Sequence, residues 1–359
     1  MRPELEAWDR IESAHLHAVP AAHAVVVLVD AQDHCILCAA TGDARAFCEK
    51  RREQIEDAHH RVSVYALACG SMFEAEFNQL RFTQKAMPEV YRQTVEAWEP
   101  WFLFLDRSRG TWKAGTLRGG ADRGDPIAVL GPMPDKHAPV FLGELLDDVF
   151  DLCREPPELG KAPHGRACPY KEMGRCPAPC DGSEPWPAFL ARFAAATRVP
   201  TSLTALIQAI ETRMREAGAR CDFERGAHLK ELAASLQARR GKRLTHITHL
   251  SSFSKIAVVP TTGRRSRVYL CRADGLLELA HLDRDPDPAA CRELAGRIRA
   301  LEPLPESFSP NPDQCGEVAF LSHRLFMPRR PEVFLSLDEG SNPDILRRAA
   351  ARTPEPEYD

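Results

Sequence analysis

The sequence predicts an α/β multidomain protein, and three observations lead to this class. Short apolar stretches with strand-like alternation are interleaved with helical periodicity near both ends of the chain. A middle segment, residues 154–186, loses that periodicity and is rich in Pro, Gly, Cys and Arg. Two amphipathic stretches follow, separated only by Gly218-Ala219-Arg220, which predicts an antiparallel helical pair. We therefore expect two α/β regions joined by a segment that something other than an apolar core must order.

The chain of 359 residues is long enough for several domains that each bury a core. The shifts in composition and periodicity predict five segments: a small α/β module over 1–100, a connecting region with a cysteine group over 101–200, a helical hairpin over 201–238, a small α/β domain over 244–345 and a tail over 346–359. The tail is charged and contains prolines, so we expect it to be frayed.

The N-terminal module is predicted from the order of its apolar patterns. A β-hairpin is expected around Gln32-Asp33-His34, because apolar runs flank this short polar turn. The other predicted elements are a helix over 5–18, a helix over 43–56, a strand over 62–69 and a helix over 71–84.

The same patterns predict the elements of the rest of the chain. Strands are expected over 101–106, 127–131, 255–261, 267–282 and 333–337. Helices are expected over 137–152, 201–217, 222–239, 288–301 and 314–325.

Composition argues against a membrane-spanning chain and against a uniformly basic nucleic-acid binder. Hydrophobic residues make up 44% and charged residues 27%, and no apolar run approaches the roughly 20 residues of a membrane span. The N-terminus lacks the basic end and apolar core of a signal peptide, so we expect a cytoplasmic protein. Since the net charge is -4, any contact with DNA must be local.

Two groups of basic residues are candidates for that contact with phosphates. The first, which we predict to bind DNA, consists of Arg239, Arg240, Lys242 and Arg243. The second consists of Arg264, Arg265 and Arg267. A solvated linker or surface is the alternative for each group.

Twelve cysteines in a cytoplasmic chain favour metal or cluster ligation over a disulfide framework. Four of them fall in one short segment, namely Cys153, Cys168, Cys176 and Cys180. Thiolates are preferred ligands both of iron-sulfur clusters and of structural zinc, and the spacing does not choose between the two. Unrelated free thiols are the remaining alternative.

The cysteine segment ACPYKEMGRCPAPCDG resembles that of the UvrC family of DNA-repair endonucleases. The approach to it is similar as well, with Leu130-Gly131-Pro132-Met133 followed by a predicted helix that leads to Cys153. The resemblance covers about residues 1–240. It implies that the four cysteines hold an iron-sulfur cluster, with zinc as the alternative.

The predicted helical pair resembles the UVR motif of the same family. The similarity rests on Phe223, Glu224, Arg225, Ala227 and Leu229, with Lys230 where an arginine often follows the leucine. In the family this hairpin pairs with a similar hairpin in UvrB, which implies such a partner here. The residues implied to contact it are Phe223, Glu224, Arg225, Leu229 and Leu232. A hairpin packed against its own chain is the alternative.

The N-terminal module resembles the GIY-YIG nuclease domain of UvrC by the order of its elements and by Gly70-Ser71 leading into a helix. Phosphodiester hydrolysis at such a site needs tyrosines, an arginine for the phosphate and a carboxylate for a divalent metal. In a gap-free alignment anchored on Asp30 and Gly70, the two tyrosine positions, the arginine position and the glutamate position fall on Val26, Leu37, Phe47 and Gln79. Arg45 lies one helical step from the arginine position. We therefore predict no catalytic residues in this module.

A displaced metal site is the alternative, because Glu74 and Glu76 lie on the same predicted helix as Gln79. The C-terminal third does not resemble the ribonuclease-H-like nuclease or the helix-hairpin-helix repeats of full-length UvrC. Its clustered acids, Asp283, Asp285 and Asp287, fall in one loop, whereas that nuclease draws its acids from separate elements.

Taken with the resemblance, these residues predict a non-catalytic UvrC-like DNA-repair protein that binds DNA and a UVR-type partner in nucleotide excision repair. Two alternatives stay open. One is an active metal-dependent, structure-specific DNA endonuclease with an altered GIY-YIG site. The other is a protein-protein adaptor that does not bind DNA.

Overall fold

A computed structural model of the chain describes residues 5–56, 62–118, 128–238, 240–261 and 264–352. It shows a mixed α/β protein with antiparallel sheets, which confirms the predicted class. The chain forms two compact units. Unit 1 comprises Met1–Glu99, Ser254–Glu302 and Gly316–Asp359, and unit 2 comprises Pro100–Phe253 and Pro303–Cys315.

The strands, numbered in chain order, are β1 (Asp9–Ile11), β2 (Ala24–Val29), β3 (Cys35–Thr41), β4 (Ser63–Ala68), β5 (Trp101–Asp106), β6 (Thr111–Gly115), β7 (Ala128–Met133), β8 (Thr248–His249), β9 (Ser254–Thr261), β10 (Arg265–Arg272), β11 (Gly275–Asp283) and β12 (Val333–Leu335). The α-helices are α1 (Ala44–Glu49), α2 (Arg52–Glu56), α3 (Met72–Ala86), α4 (Pro88–Trp98), α5 (His137–Phe150), α6 (Pro156–Leu159), α7 (Pro169–Glu172), α8 (Trp186–Arg198), α9 (Leu203–Ala219), α10 (Phe223–Gln237), α11 (Pro288–Arg299), α12 (Pro312–Phe326), α13 (Leu337–Gly340) and α14 (Pro343–Arg352).

The first sheet of unit 1 has the antiparallel order β1-β4-β2-β3. All six residues of its central strand β2 are buried, so both faces of the sheet are covered. Val26 and Leu28 pack in one core with helix α1, whereas Val25 and Val27 pack in another with helix α3.

The second sheet of unit 1 has the order β11-β10-β9-β12 and is built from the C-terminal third of the chain. Helices α11 and α14 pack on one of its faces. On the other face, Phe73, Phe77 and Leu80 of helix α3 share a core with β9, β10 and α12. Helix α3 therefore contributes to the cores of both sheets, and the N-terminal module and the C-terminal strands form one unit.

Unit 2 contains the third sheet, of order β6-β5-β7-β8. Its core joins β5 and β7 to helices α5, α8, α9 and α10. The chain reverses between α9 and α10 through Cys221, whose φ of 59° is left-handed. The two helices pack against each other as the short connection predicts.

Several predicted elements differ from the structure. Residues 5–18 form strand β1 and a short 3-10 helix over Ser13–Ala18, because β1 pairs with β4 and this long-range pairing outweighs local helical periodicity. Residues 267–282, predicted as a strand, form the β10-β11 hairpin with Gly275 at a φ of 133°. Helix α14 reaches Arg352, inside the segment expected to be frayed. Strand β6 and helices α4 and α8 were not predicted.

Among the described residues, no helix combines the length and the apolar character needed to cross a membrane.

Candidate functional site

The cysteine segment begins where helix α5 ends. Asp151 caps α5 in a left-handed conformation, with a φ of 53°, and turns the chain so that Cys153 is buried. Cys168 immediately precedes helix α7 and is half-buried. Cys176 and Cys180 are buried on either side of Ala178, a non-glycine residue with a φ of 59°. Local turns rather than a sheet or helix register therefore position the four thiols.

The thiols interact with one another in this segment. Cys153 and Cys176 share a hydrogen bond, which lowers the pKa of Cys176 and raises that of Cys153. Cys180 interacts electrostatically with Cys176 and Cys168, and burial raises its pKa. In the part of the chain that the structure describes, no three His, Cys, Asp or Glu side chains are arranged to hold a metal ion.

Arg154 ties the ends of the cysteine segment together. One of its nitrogens, Nη1, donates to the carbonyl of Arg175 at 3.1 Å, and Nη2 donates to the carbonyl of Asp147 at 3.0 Å. Its guanidinium lies 4.7 Å from the ring centroid of Tyr170 and pairs with Asp148 at 2.5 Å. A single half-buried cation thus links the residues that flank Cys153 to those that flank Cys176.

Two further arginines meet the same end of helix α5. Arg192 of α8 donates to the carbonyls of Phe150, at 2.8 Å, and of Asp151, and pairs with Glu184 at 2.5 Å. Arg225 of α10 pairs with Asp151 at 2.6 Å and donates to the carbonyl of Asp148. Cations are favourable at the C-terminus of a helix, where carbonyls have no partner within the helix. We call Arg154, Arg192 and Arg225 the arginine hub.

The donor set suits a soft metal. Thiolates are acceptors of hydrogen bonds, and the backbone N–H of Ala178 stabilises the ionised form of Cys176. Arg192 and Arg154 also favour the ionised form of Cys176 electrostatically. Nε of Arg192 and Nη1 of Arg225 have no hydrogen-bond partner among the described residues, although both atoms are buried. Thiols with cationic neighbours are the residue types that an anionic thiolate cluster needs, whereas their arrangement among the described residues does not form a metal site.

Asp147 lies in the last turn of helix α5. The indole Nε1 of Trp112 donates to its Oδ2 at 3.0 Å, while Oδ1 has no partner among the described residues. Burial raises the pKa of Asp147 to about 7, and Trp112 and Arg154 oppose that shift. This carboxyl therefore titrates in the physiological range.

The residues predicted to contact a partner fall into three groups by their surroundings. Phe223 is 74% exposed and Glu224 is exposed as well, at the start of helix α10. Leu229 is 1% exposed and packs in the core of unit 2, against which Leu232 also packs. Arg225 belongs to the arginine hub. Of the five residues predicted to contact a partner, only Phe223 and Glu224 are exposed in this structure.

The positions aligned with nuclease tyrosines are apolar parts of the first sheet. Val26 is fully buried and Leu37 packs against the same core. Phe47, at the arginine position, stacks under the guanidinium of Arg51 at 3.8 Å, and Nε of Arg45 donates to the carbonyl of Val19 at 3.0 Å. Arg51 also donates from Nη1 to the carbonyl of Phe47 at 3.4 Å, so both arginines contact the backbone or a ring of the module.

Gln79, at the glutamate position, makes two hydrogen bonds with strand β3. Its Nε2 donates to the carbonyl of Cys38 at 3.2 Å, and its Oε1 accepts from the N–H of Ala40 at 3.1 Å. A glutamate would lack the donor. The amide is therefore used to attach helix α3 to the sheet.

The two carboxylates of the displaced-metal alternative are held by arginines in separate places. Glu74 accepts from the N–H of Gly70 at 2.8 Å and lies 3.2 Å from Nε of Arg267. Glu76 pairs at 3.1 Å with Arg324, a buried guanidinium that also pairs with Glu332 at 2.7 Å. Burial raises the pKa of both Glu74 and Glu76. Each carboxylate is committed to an ion pair, which disfavours a shared divalent metal.

The basic residues predicted to bind DNA are only partly described. Arg239 lies outside the described residues, and so does the side chain of Arg240. Lys242 is exposed, and Arg243 is exposed with its Nε 3.4 Å from Asp135. In the second basic group, Arg265 pairs with Asp283 at 3.1 Å and Arg267 with Glu74.

Of the arginine hub, the sequence singled out only Arg225, as a partner contact, and it singled out neither Arg324 nor Glu332. Arg154 could have been suspected from the sequence alone, because it directly follows Cys153. Arg192 could not, because it lies on a helix, α8, that the patterns missed. Arg324 and Glu332 are separated by the end of α12, and their burial depends on the distant helix α3.

Comparisons with known proteins give a distant relationship. No family model and no solved structure matches the chain. UvrABC system protein C from two strains of Thermus thermophilus is 32% identical over 119 residues, which is 32% of this chain. The match covers 19% of one relative and 18% of the other, so the chain spans about a fifth of their length. It supports a UvrC-like relationship over that segment.

Proposed function

We propose that this chain is a non-catalytic UvrC-like DNA-repair protein that binds DNA and a UVR-type partner in nucleotide excision repair. The similarity to UvrABC system protein C supports the repair role. The observation that carries the non-catalytic part is the pair of backbone hydrogen bonds made by Gln79. The side chain at the expected metal position is neutral, and both its nitrogen and its oxygen bond the backbone of β3.

The proposal extends to a cofactor on Cys153, Cys168, Cys176 and Cys180. An iron-sulfur cluster is the proposed group, and zinc is the alternative. Such a group would crosslink a segment that has few apolar residues of its own. Its support is the mutual interaction of the thiols and the neighbouring arginine hub.

The cofactor is tested by purifying the full chain without oxygen and measuring metal content and absorbance. We expect iron and sulfide together with a broad absorption near 400 nm, on the order expected for thiolate-iron charge transfer. Cys176→Ser should lower the bound metal, while Cys221→Ser, at an exposed cysteine, should not. A colourless protein with one zinc would replace the iron-sulfur assignment, and a metal-free folded protein would remove the cofactor altogether.

Absence of catalysis is tested with nicked, bubbled and damaged DNA duplexes in Mg²⁺ or Mn²⁺. We expect no incision by the pure protein. Incision that is lost in Glu76→Ala would establish the displaced-metal endonuclease instead. Because Glu76 also contributes an ion pair to unit 1, a thermal unfolding curve of this variant must accompany the assay.

The partner surface is tested with a protein that carries a UVR hairpin. Phe223 is proposed as the central contact, because a large exposed aromatic side chain suits an interface. Phe223→Ala should weaken binding at least tenfold, whereas Met173→Ala, at a residue that is 58% exposed, should not. Equal affinity of Phe223→Ala and the unaltered chain would exclude this surface.

A further inference from the structure

Helices α11 and α14 carry an unusual concentration of one side chain. They contain six arginines and two carboxylates, while the whole chain has a net charge of -4. The arginines are Arg292, Arg297 and Arg299 on α11 and Arg347, Arg348 and Arg352 on α14. The carboxylates are Glu293 and Asp344. The two helices pack against each other on one face of the second sheet, so their charges share one surface.

The arginines occupy the outer side of both helices. Cys291, Leu294 and Ile298 of α11 and Leu346 and Ala350 of α14 are buried against the sheet. All six arginines are exposed. The amphipathic pattern fixes the orientation of each helix, so the arginine side faces outwards whenever unit 1 is folded.

Most of these guanidiniums are not used within the described chain. Arg299 donates to the carbonyl of Ser341 at 2.9 Å, and Arg348 donates to the carbonyl of Asp344 at 3.2 Å. The other four make no ion pair or hydrogen bond with any described residue. Both Arg299 and Arg348 also keep further N–H donors, since a guanidinium has five.

We infer that this arginine face of α11 and α14 binds the phosphate backbone of duplex DNA. The inference rests on the proposed repair function and assigns its DNA contact to a surface other than residues 239–243. Guanidinium groups match phosphate oxygens with two parallel hydrogen bonds, and no lysine occurs on either helix.

The composition of the surface favours a polyanion over a protein partner. Protein interfaces are usually centred on large apolar or aromatic side chains. The large hydrophobic side chains that are exposed in the described chain are Ile36, Val140, Met173, Phe223 and Leu277, and none lies on α11 or α14. Small residues lie among the arginines, including the exposed Gly296, and Glu293 is the one exposed carboxylate between Arg292 and Arg297. Along α11, Arg292 to Arg299 spans about 10 Å, which covers neighbouring phosphates.

The test measures binding of the full chain to a short DNA duplex over a series of salt concentrations. The test variant replaces Arg292, Arg297, Arg347 and Arg352 with alanine. The control replaces the exposed Arg109, Arg198, Arg215 and Arg220 of unit 2 and so makes the same change in net charge. Circular dichroism and thermal unfolding establish that both variants are folded.

We expect the test variant to bind at least tenfold more weakly at low salt, and the control to stay within twofold of the unaltered chain. Each phosphate contact contributes about 0.9 to the slope of log affinity against log salt, so the test variant should lose roughly 3 of that slope. A test variant that retains the affinity and the slope, or a control that loses as much, overturns the assignment to α11 and α14. If the unaltered chain does not bind at low salt, the DNA-binding part of the proposed function fails as well. A test variant that does not fold is replaced by its lysine counterpart, which should keep the slope but bind more weakly.

Discussion

Gln79 donates a hydrogen bond from its side-chain amide to the backbone carbonyl of Cys38, across the gap between helix α3 and strand β3. The side-chain oxygen of Gln79 also accepts a hydrogen bond from the backbone N–H of Ala40 on the same strand. A side-chain amide both donates and accepts at neutral pH, whereas the ionised carboxylate of a glutamate only accepts. Gln79 is therefore a structural crosslink between helix α3 and strand β3.

Replacing Gln79 with glutamate should destabilise unit 1 and leave the protein without nuclease activity. The carboxylate removes the donor and faces the carbonyl of Cys38, which costs about 1–3 kcal/mol. Urea denaturation measures this loss. Gln84→Glu, on the same helix, removes no hydrogen bond among the described residues and should change stability by less than about 0.5 kcal/mol. Metal-dependent incision by Gln79→Glu would contradict the structural reading of this residue.

Asp147 should make unit 2 less stable as pH rises. Its pKa is about 7 in the folded chain and near 3.8 when unfolded, so the folded state binds the proton more tightly. Its contribution is fully present below the unfolded pKa and is lost as pH rises through about 7. A separation of roughly three pKa units corresponds to a free energy on the order of 4 kcal/mol.

Asp147→Asn removes that titration and keeps an acceptor for Trp112. We expect the variant to match the unaltered chain near pH 4 and to exceed it in free energy of unfolding by about 2–4 kcal/mol near pH 9. The exposed Asp338→Asn is the control, and its curve should run parallel to that of the unaltered chain. If the stability curve of Asp147→Asn also runs parallel to that of the unaltered chain, the pKa of Asp147 is not raised in the folded chain.

Arg225→Met should loosen the hairpin of α9 and α10. It removes the ion pair with the Asp151 carboxylate and the donor to the Asp148 carbonyl, at a cost of about 1–3 kcal/mol because Asp151 keeps some solvent. Limited proteolysis should then cut near residues 219–223 sooner. The exposed Arg215→Met should have no such effect, and equal protection of Arg225→Met would show that the hub does not hold the hairpin.

Truncation to alanine should lower the free energy of unfolding strongly at Leu229 and hardly at all at Phe223. Leu229→Ala removes buried volume from the core of unit 2 and should cost about 2–4 kcal/mol in free energy of unfolding. Phe223→Ala should change that free energy by less than about 0.5 kcal/mol, since this side chain is 74% exposed. A large loss of stability in Phe223→Ala would indicate that Phe223 is a packing residue.

Apolar runs and helical periodicity correctly predicted those helices and strands that bury a face visible in their own sequence. Strand β2 is buried at every position and was expected as part of a hairpin, and α10 begins at Phe223 as its periodicity indicated. The helix expected over 5–18 was wrong, because strand pairing between Ile11 and Val64 decides the local structure. Periodicity within one segment does not contain that information.

The site was less predictable than the fold. The four cysteines were identified from their residue type and spacing, but the hub around them joins residues from α8, α10 and the segment after α5. Gln79 was predicted to lack metal-binding ability, yet its partners Cys38 and Ala40 lie about forty residues earlier, at 41 and 39 positions. Such contacts depend on how α3 packs on the sheet.

Helix α3 has a consequence for synthesis on the ribosome. One side of it faces the first sheet, and Phe73, Phe77 and Leu80 on the other side share a core with Val95 of helix α4 and with residues of β9, β10 and α12. At 5–20 residues per second, the strands that cover them emerge roughly ten to thirty seconds later. During that interval part of this aromatic surface stays uncovered on the nascent module, which makes the module a natural substrate for chaperones and a poor candidate for expression as an isolated fragment.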